Sequence, residues 1–375
     1  MNYESEFNLD NNIIHVNHAA VGPWPTKTAE AVKSFAEENT RIGSKNYLQW
    51  VETETDLRAK LAQLINAASV NEIALLKNTS EGLSVIAYGL DWHAGDNIVI
   101  AKEEFPSNRI VWESLKSQGV EVRLVSLSNE NNPEQKLIDQ FDNKTRLLSI
   151  SAVQYASGLR MDLSVLGQAC KGKNILYCVD AIQHIGALQF DAQAINADFV
   201  VADGHKWMLG PEGLALFYCR EELLETLKLN QFGWHMVENF LDFSSMDNWQ
   251  PAKTARRFEC GSPNMLAVHA LHSSIDLLLT IGMQTIEQLV LEKVQYLIDG
   301  LANKPGISVL SPTDIKRHAG IFTFKKSTIE NEALYNELVS KGAICALRGG
   351  GIRFSPHFHN SKEQLDTLID WVLSY

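Results

Sequence analysis

A succession of short, almost wholly apolar runs separated by amphipathic stretches, between about Glu72 and Phe217, constrains this chain more than any other feature. The clearest runs are Asn97–Ala101 (NIVIA), Leu147–Ile150, Ile175–Val179 (ILYCV), Phe199–Ala202 and Leu214–Tyr218. Between them lie amphipathic segments such as Ser107–Gln118, Pro133–Phe141 and Ser164–Lys171. A strand that is apolar on both faces must be covered on both faces, and a helical crossover returns the chain for parallel pairing. The pattern therefore predicts an α/β fold, with a mostly parallel sheet between helices. After about Phe258 the pattern changes. A long helical stretch over roughly 264–302 precedes Ile307–Leu310, Gly320–Phe324, a helix near Glu330–Lys341, a strand near Ile352–Ser355 and a final helix. This predicts a smaller α+β C-terminal domain. The expected division is an N-terminal segment 1–20, contributing to the small domain or the substrate mouth, a large domain 21–256 and a small domain 257–375.

The net charge of −12 offers no basic run to neutralise phosphates, so neither nucleic acid nor a membrane surface is an expected partner. The start, MNYESEFNLDNN, lacks the basic-then-apolar pattern of a signal peptide, and the apolar stretch Ile275–Ile281 is too short to span a bilayer. Cys170, Cys178, Cys219, Cys260 and Cys345 are odd in number and scattered, which suits reduced thiols in the cytoplasm rather than a disulfide framework or a zinc site. His357-Phe358-His359 has no third ligand spaced nearby, so no metal is expected.

In parallel sheets ligands collect beyond the carboxyl ends of the strands. Asp203-Gly204-His205-Lys206-Trp207 follows directly on Phe199–Ala202, and Val179-Asp180-Ala181-Ile182-Gln183-His184 closes the ILYCV run. A lysine displayed on such a turn can condense with an aldehyde, and burial with cationic neighbours lowers its pKa toward reactivity. A carboxylate at the same edge can pair with a pyridinium nitrogen and keep it protonated. Taken singly, each residue has commoner uses: a surface lysine, a helix-capping aspartate.

Five further segments accompany these two: Asn17-His18-Ala19-Ala20, Asn78-Thr79-Ser80-Glu81-Gly82, Glu104-Phe105-Pro106-Ser107-Asn108, Arg257-Phe258-Glu259-Cys260-Gly261-Ser262-Pro263-Asn264 and Ile352-Arg353-Phe354-Ser355. In order and spacing, over nearly the whole chain, the set resembles the fold-type-I enzymes that use pyridoxal 5′-phosphate (PLP). Within them it is most similar to the class V aminotransferase and cysteine desulfurase group. The resemblance implies PLP carried as a Schiff base on Lys206, with Asp180 at the ring nitrogen and Gln183 at the phenolic oxygen. It places Thr79, Ser80 and His205 at the phosphate, where a helix N-terminus suits an anion. Phe105 falls where many relatives stack a histidine on the ring; its face can make the same contact without transferring protons. Tyr155 replaces an asparagine common in desulfurases and is placed near the ring oxygen. Ser262 matches a residue that donates to the neighbouring subunit's phosphate, which implies a homodimer with shared active sites. Arg353 matches the arginine that clamps the substrate carboxylate, with Arg348 and His18 as further substrate-binding candidates. Lys206, Asp180 and Phe105 form the expected catalytic set.

The resemblance also has a gap. A cysteine desulfurase needs a nucleophilic thiol on a mobile loop preceding that arginine, and Ala346–Arg353 contains none. Cys345 lies within AICAL, which reads as a buried strand, and a buried thiol is inert. The Glu-Phe-Pro-Ser-Asn and Val-Gln-Tyr-Ala-Ser-Gly segments are more similar to the isopenicillin-N-epimerase-like branch. The expected function is aminotransferase-type chemistry on an amino acid or related amine. The alternatives are a C–S or β-elimination lyase or an epimerase on the same cofactor and, from another class, a non-catalytic PLP-fold scaffold or sensor. Specificity is expected to depend on Gly233-Trp234-His235-Met236 and Phe240–Trp249, as loops closing over the site or as a dimer interface.

Overall fold

The computed structural model describes residues 3–128, 130–244 and 246–375. The chain opens with β1 (Ile14–His15) and two long helices, α1 (Thr26–Ile42) and α2 (Tyr47–Leu64). There follow β2 (Ile73–Leu76), α3 (Thr79–Gly89), β3 (Asn97–Ala101), α4 (Ser107–Glu113), β4 (Glu121–Val125), α5 (Pro133–Ile138) and β5 (Thr145–Ser151). The large sheet is completed after α6 (Leu163–Lys173) by β6 (Leu176–Asp180), β7 (Phe199–Asp203) and β8 (Ala215–Cys219). Its strand order is β2-β8-β7-β6-β5-β3-β4; the pairings from β4 to β7 are parallel, and β8 is antiparallel to both its neighbours. The five apolar runs are β3, β5, β6, β7 and β8. The pattern did not single out β2 or β4. In β4, an edge strand, Glu121 and Arg123 interrupt the apolar residues and solvent reaches one side.

Side chains alternate across a strand, so each run feeds two cores. In β7, Val200 and Ala202 join Leu57 and Leu61 of α2 on one face, whereas Phe199 and Val201 join Leu83 and Ile86 of α3 on the other. Leu216 and Phe217 of β8 divide in the same way. Fully burying a side chain such as Phe217 contributes about 1.5–3 kcal/mol, which is why both faces must be covered.

α7 (Met265–Ile281) packs on α1 and α2, and α8 (Met283–Leu301) turns away from it. The single helical stretch expected over 264–302 is thus two helices, bent by 85°. The break falls at Gly282, whose φ of 87° is open to glycine and strained for other residues. Among the described residues no single helix is long and apolar enough to cross a membrane, and α7 and α8 pass that test only as a bent pair. The chain ends with β9 (Ile307–Val309), β10 (Phe322–Lys326), α9 (Asn331–Ser340), β11 (Ala343–Ile344), β12 (Ala346–Arg348), β13 (Gly351–Phe354) and α10 (Lys362–Ser374). An antiparallel sheet runs β12-β13-β10-β9. β1 pairs with β11, and Asn17 bridges to Ser355, so the first residues are stitched to the C-terminal portion.

Candidate active site

Because β6 and β7 are adjacent and parallel, with Asp180 in register with Val201, Asp180 and Asp203 end their strands at one edge of the sheet. Lys206 follows three residues later. Its turn is held by Gly204 N–H on Leu214 O (2.9 Å) and Leu209 N–H on Lys206 O (3.2 Å). Leu209 has a φ of 59°, rare for a branched residue and a mark of backbone strain tolerated beside a site. The N-terminal segment passes beneath, where Gly22 N–H donates to His205 O at 2.8 Å.

A cavity of about 300 Å³ opens at this edge, and Lys206, Asp180 and Arg353 all line it. Burial lowers the Lys206 pKa to about 8; Asp180 opposes the shift and Arg353 adds to it. A displacement of that size corresponds to roughly 3 kcal/mol of preference for the neutral amine. Burial raises Asp180 to about 6, against the Ile182 N–H it accepts (3.1 Å) and the charge of Lys206. Arg353 is lowered to about 10, first by burial and then by Arg348. Volume does not pick out this site: a cleft of about 600 Å³ contains Arg160 and Arg317, but these already pair with Glu287 and Glu134.

Thr79 and Ser80 begin α3, whose N-terminus is capped by Asn78 accepting from Glu81 N–H at 2.9 Å. The Thr79 hydroxyl is buried without a partner, and Ser80 donates to Ser107 at 2.8 Å. His205 Nδ1 lies 2.9 Å from Asp203 Oδ1, outside hydrogen-bonding geometry. Phe105 is 43% exposed, so it is a wall of the cavity and not a core residue; the Lys206 amine stands 5.6 Å from its ring centre. Tyr155 meets Phe105 edge to face, with ring centres 5.2 Å apart. The Gln183 amide donates to Ala19 O (2.9 Å) and accepts from Trp207 (2.8 Å), which leaves one N–H for the cavity. Arg353 donates to Tyr155 O at 2.7 Å, and Arg348 lies beside it on the cavity wall.

One expectation needs correction. His18 is not at the mouth: it is fully buried, 3.0 Å from Ser355 O and 3.1 Å from His359. Burial and the surrounding histidines push its pKa well below the usual value, and Ala19 and Ala20 line the cavity instead. Ser262 does not reach the cavity of its own chain; it is exposed, with Trp234 donating to it at 3.3 Å. Gly233–Met236 and the described residues of Phe240–Trp249, where Ser245 lies outside the description, do not line the cavity.

Sequence reasoning gave no role to Ser107, Asp203 or Glu104. The first two line the cavity. Glu104 is buried and accepts from Ser151 N–H (2.8 Å), Gln154 (3.0 Å), Asn108 (2.9 Å) and the Ser151 hydroxyl. It ties the turn bearing Phe105 to the end of β5, and burial raises its pKa to about 7. Its place at the head of Glu-Phe-Pro-Ser-Asn was the available signal.

No cysteine lines the cavity. Cys345 is buried beside β11 and β12, and burial pushes its thiol up to about 12. The segment before Arg353 is a tight hairpin turn at Gly349-Gly350, with no room for a thiol-bearing loop.

A family model described as aminotransferase class-V matches residues 18–368. A probable cysteine desulfurase of Methanothermobacter thermautotrophicus is 29% identical, over 95% of this chain and 92% of its own. Among solved structures, a C-DES variant with glycine covalently linked to its PLP cofactor superposes with a TM-score of 0.91 at 21% identity, covering 97% of each chain. The cystine C–S lyase C-DES with its product cysteine persulfide gives 0.88 at 21% identity, over 97% of this chain and 98% of that one.

Proposed function

The chain belongs to the class-V aminotransferase family, and from that premise we propose that it binds pyridoxal 5′-phosphate at Lys206 and carries out aminotransferase-type chemistry on an amino acid. The observation that carries this reading is the meeting, in one cavity, of a buried amine at about 8 and a buried carboxylate at about 6.

The residues present fit the cofactor. The unpartnered Thr79 hydroxyl, Ser80 and the first N–H groups of α3 suit its phosphate, with His205 alongside. Asp180 suits the ring nitrogen, the remaining Gln183 N–H the phenolic oxygen, and the Phe105 and Tyr155 rings the aromatic face. When bound, PLP supplies an aldehyde that captures a primary amine and a ring that takes up electrons released at the substrate's α-carbon.

Lys206, with a pKa near neutrality, can both accept and return a proton at the α-carbon. Asp180 contributes negative charge; burial has left it short of a cation, and a protonated ring nitrogen answers that deficit. Arg353 offers its planar fork to the α-carboxylate and so fixes the substrate's orientation. Together Lys206, Asp180 and Arg353 argue against a non-catalytic scaffold, which has no use for all three.

One observation favours a second reading, elimination at a C–S bond. No thiol lines the cavity, and a lyase whose sulfur leaves on the product, as the persulfide of C-DES does, needs none. Proton removal by Lys206 serves both. Incubating the holoenzyme with amino acids separates them: accumulation of pyridoxamine phosphate supports transfer, and release of pyruvate with ammonia or persulfide supports elimination. If no donor yields pyridoxamine phosphate, the aminotransferase reading fails. Exposed Ser262 supports a homodimer in which it serves the other subunit's site, and sedimentation of the holoenzyme tests this. Five free cysteines support a cytoplasmic setting.

A further inference from the structure

We infer that the substrate carries a second carboxylate at the far end of its side chain, and that Arg348 selects it; this rests on the cofactor reading of the same cavity. β12 and β13 pair antiparallel with Ala346 opposite Arg353 and Arg348 opposite Gly351. Alternation puts Ala346 and Arg348 on one face of β12, and Arg353 shares that face across the pair. The two arginines are diagonal neighbours, roughly 7–8 Å apart at the backbone. The hairpin that presents them is stiff. Gly349 and Gly350 take φ values of 61° and 79°, as a two-residue reverse turn requires, and a Cβ on Gly349 would stand 2.9 Å from Ala156 O.

Two guanidinium groups therefore face one cavity, and among the described residues neither forms an ion pair. Arg353 makes its one hydrogen bond to Tyr155 O, and its Nε is buried without a partner. Arg348 bonds only to the carbonyl of its neighbour Leu347, at 3.2 Å. The cavity's acids, Asp180 and Asp203, act on Lys206 and His205 and pair with neither arginine. Like charges so placed repel unless an anion lies between them. The α-carboxylate of a neutral amino acid satisfies one fork; a second carboxylate satisfies both. Ala20 and Ile182 add apolar surface to the wall of the same cavity, suited to a short methylene chain.

The test uses the PLP-loaded full chain and two unreactive four-carbon probes, succinate and butyrate, titrated by calorimetry. Succinate is expected to bind about 10- to 100-fold tighter, the range of one charge-assisted fork. Arg348→Ala should abolish most of that difference, and Arg348→Lys should keep part of it, since charge remains without the fork. In turnover, the preference in kcat/KM for glutamate over glutamine should fall in parallel. Equal binding of the two probes, or a preference that survives Arg348→Ala, overturns the inference. Succinate preference in a protein that forms no adduct at Lys206 would instead sink the cofactor reading and leave the anion site standing.

Discussion

Lys206 is a buried cation and Arg58 a largely buried one, but their surroundings differ. Arg58 of α2 bonds both oxygens of Glu259 and reaches Glu54 at 2.6 Å, while Glu259 also accepts Leu75 N–H at 2.8 Å. Burial alone would lower the pKa of Arg58; Glu259 and Glu54 more than reverse this, and Glu54 is likewise held below its usual range by His235 and Arg58 against its own burial. In the cavity every shift runs the other way. Lys206 and Arg353 are lowered and Asp180 is raised, all chiefly by burial. In the first cluster Arg58 meets both carboxylates, although Glu54 Oε2 and both His235 ring nitrogens are buried without a hydrogen-bond partner. The second is left short of partners, as a site is whose charges await ligands.

The sharpest break in that comparison is Lys206→Ala. Turnover should fall about 1,000-fold or more with the apo thermal midpoint not lowered, because no internal ion pair is lost; retained turnover would remove Lys206 from the chemistry. Arg58→Ala should do the opposite, costing about 3–5 kcal/mol in denaturant unfolding by leaving Glu54 and Glu259 buried without their cation. A loss under 1 kcal/mol would mean that Arg58 is not what compensates the two carboxylates.

Asp180→Asn should lower kcat about 100-fold yet stabilise the apo protein at pH 7 by on the order of 1–3 kcal/mol. The sign follows from the raised pKa. Folded Asp180 holds its proton up to about pH 6 whereas the unfolded residue loses it near 3.8, so its contribution is present below that range and lost as pH rises through it. Glu54 behaves oppositely, its contribution lost on acidification. Chemical unfolding of the apo wild type and variant side by side, from about pH 3 to about pH 7, reads both; a destabilised Asp180→Asn would show that the carboxylate is already paired. The smallest effect is expected of Phe105→Ala. An aromatic contact contributes about 0.5–1.5 kcal/mol, so cofactor affinity should drop about 2- to 15-fold.

Much of the large sheet could be read from sequence because a strand buried on both faces must be apolar over most of its length, as β3 from Ile98 to Ala101 and β7 from Phe199 to Ala202 are. β4 escaped because an edge strand tolerates Glu121 and Arg123. Long α1 was not singled out, since only Thr28 of its residues is buried. Lys206, Asp180 and Thr79 were legible because they stand at element ends, where position in the chain fixes position in space. His18 misled because only the pairing of Asn17 with Ser355, remote in sequence, decides that the next ring is buried. Glu104 was missed for a related reason: its meaning lies in the residues around Ser151 and Gln154 that bind it.

Reduction of the PLP-loaded protein with borohydride, followed by peptide mass mapping, tests the assignment of Lys206 most directly. A single stable adduct on Lys206, absent from Lys206→Ala together with the visible absorption band, is the expected result. An adduct on another lysine, or a band that survives the substitution, would contradict it.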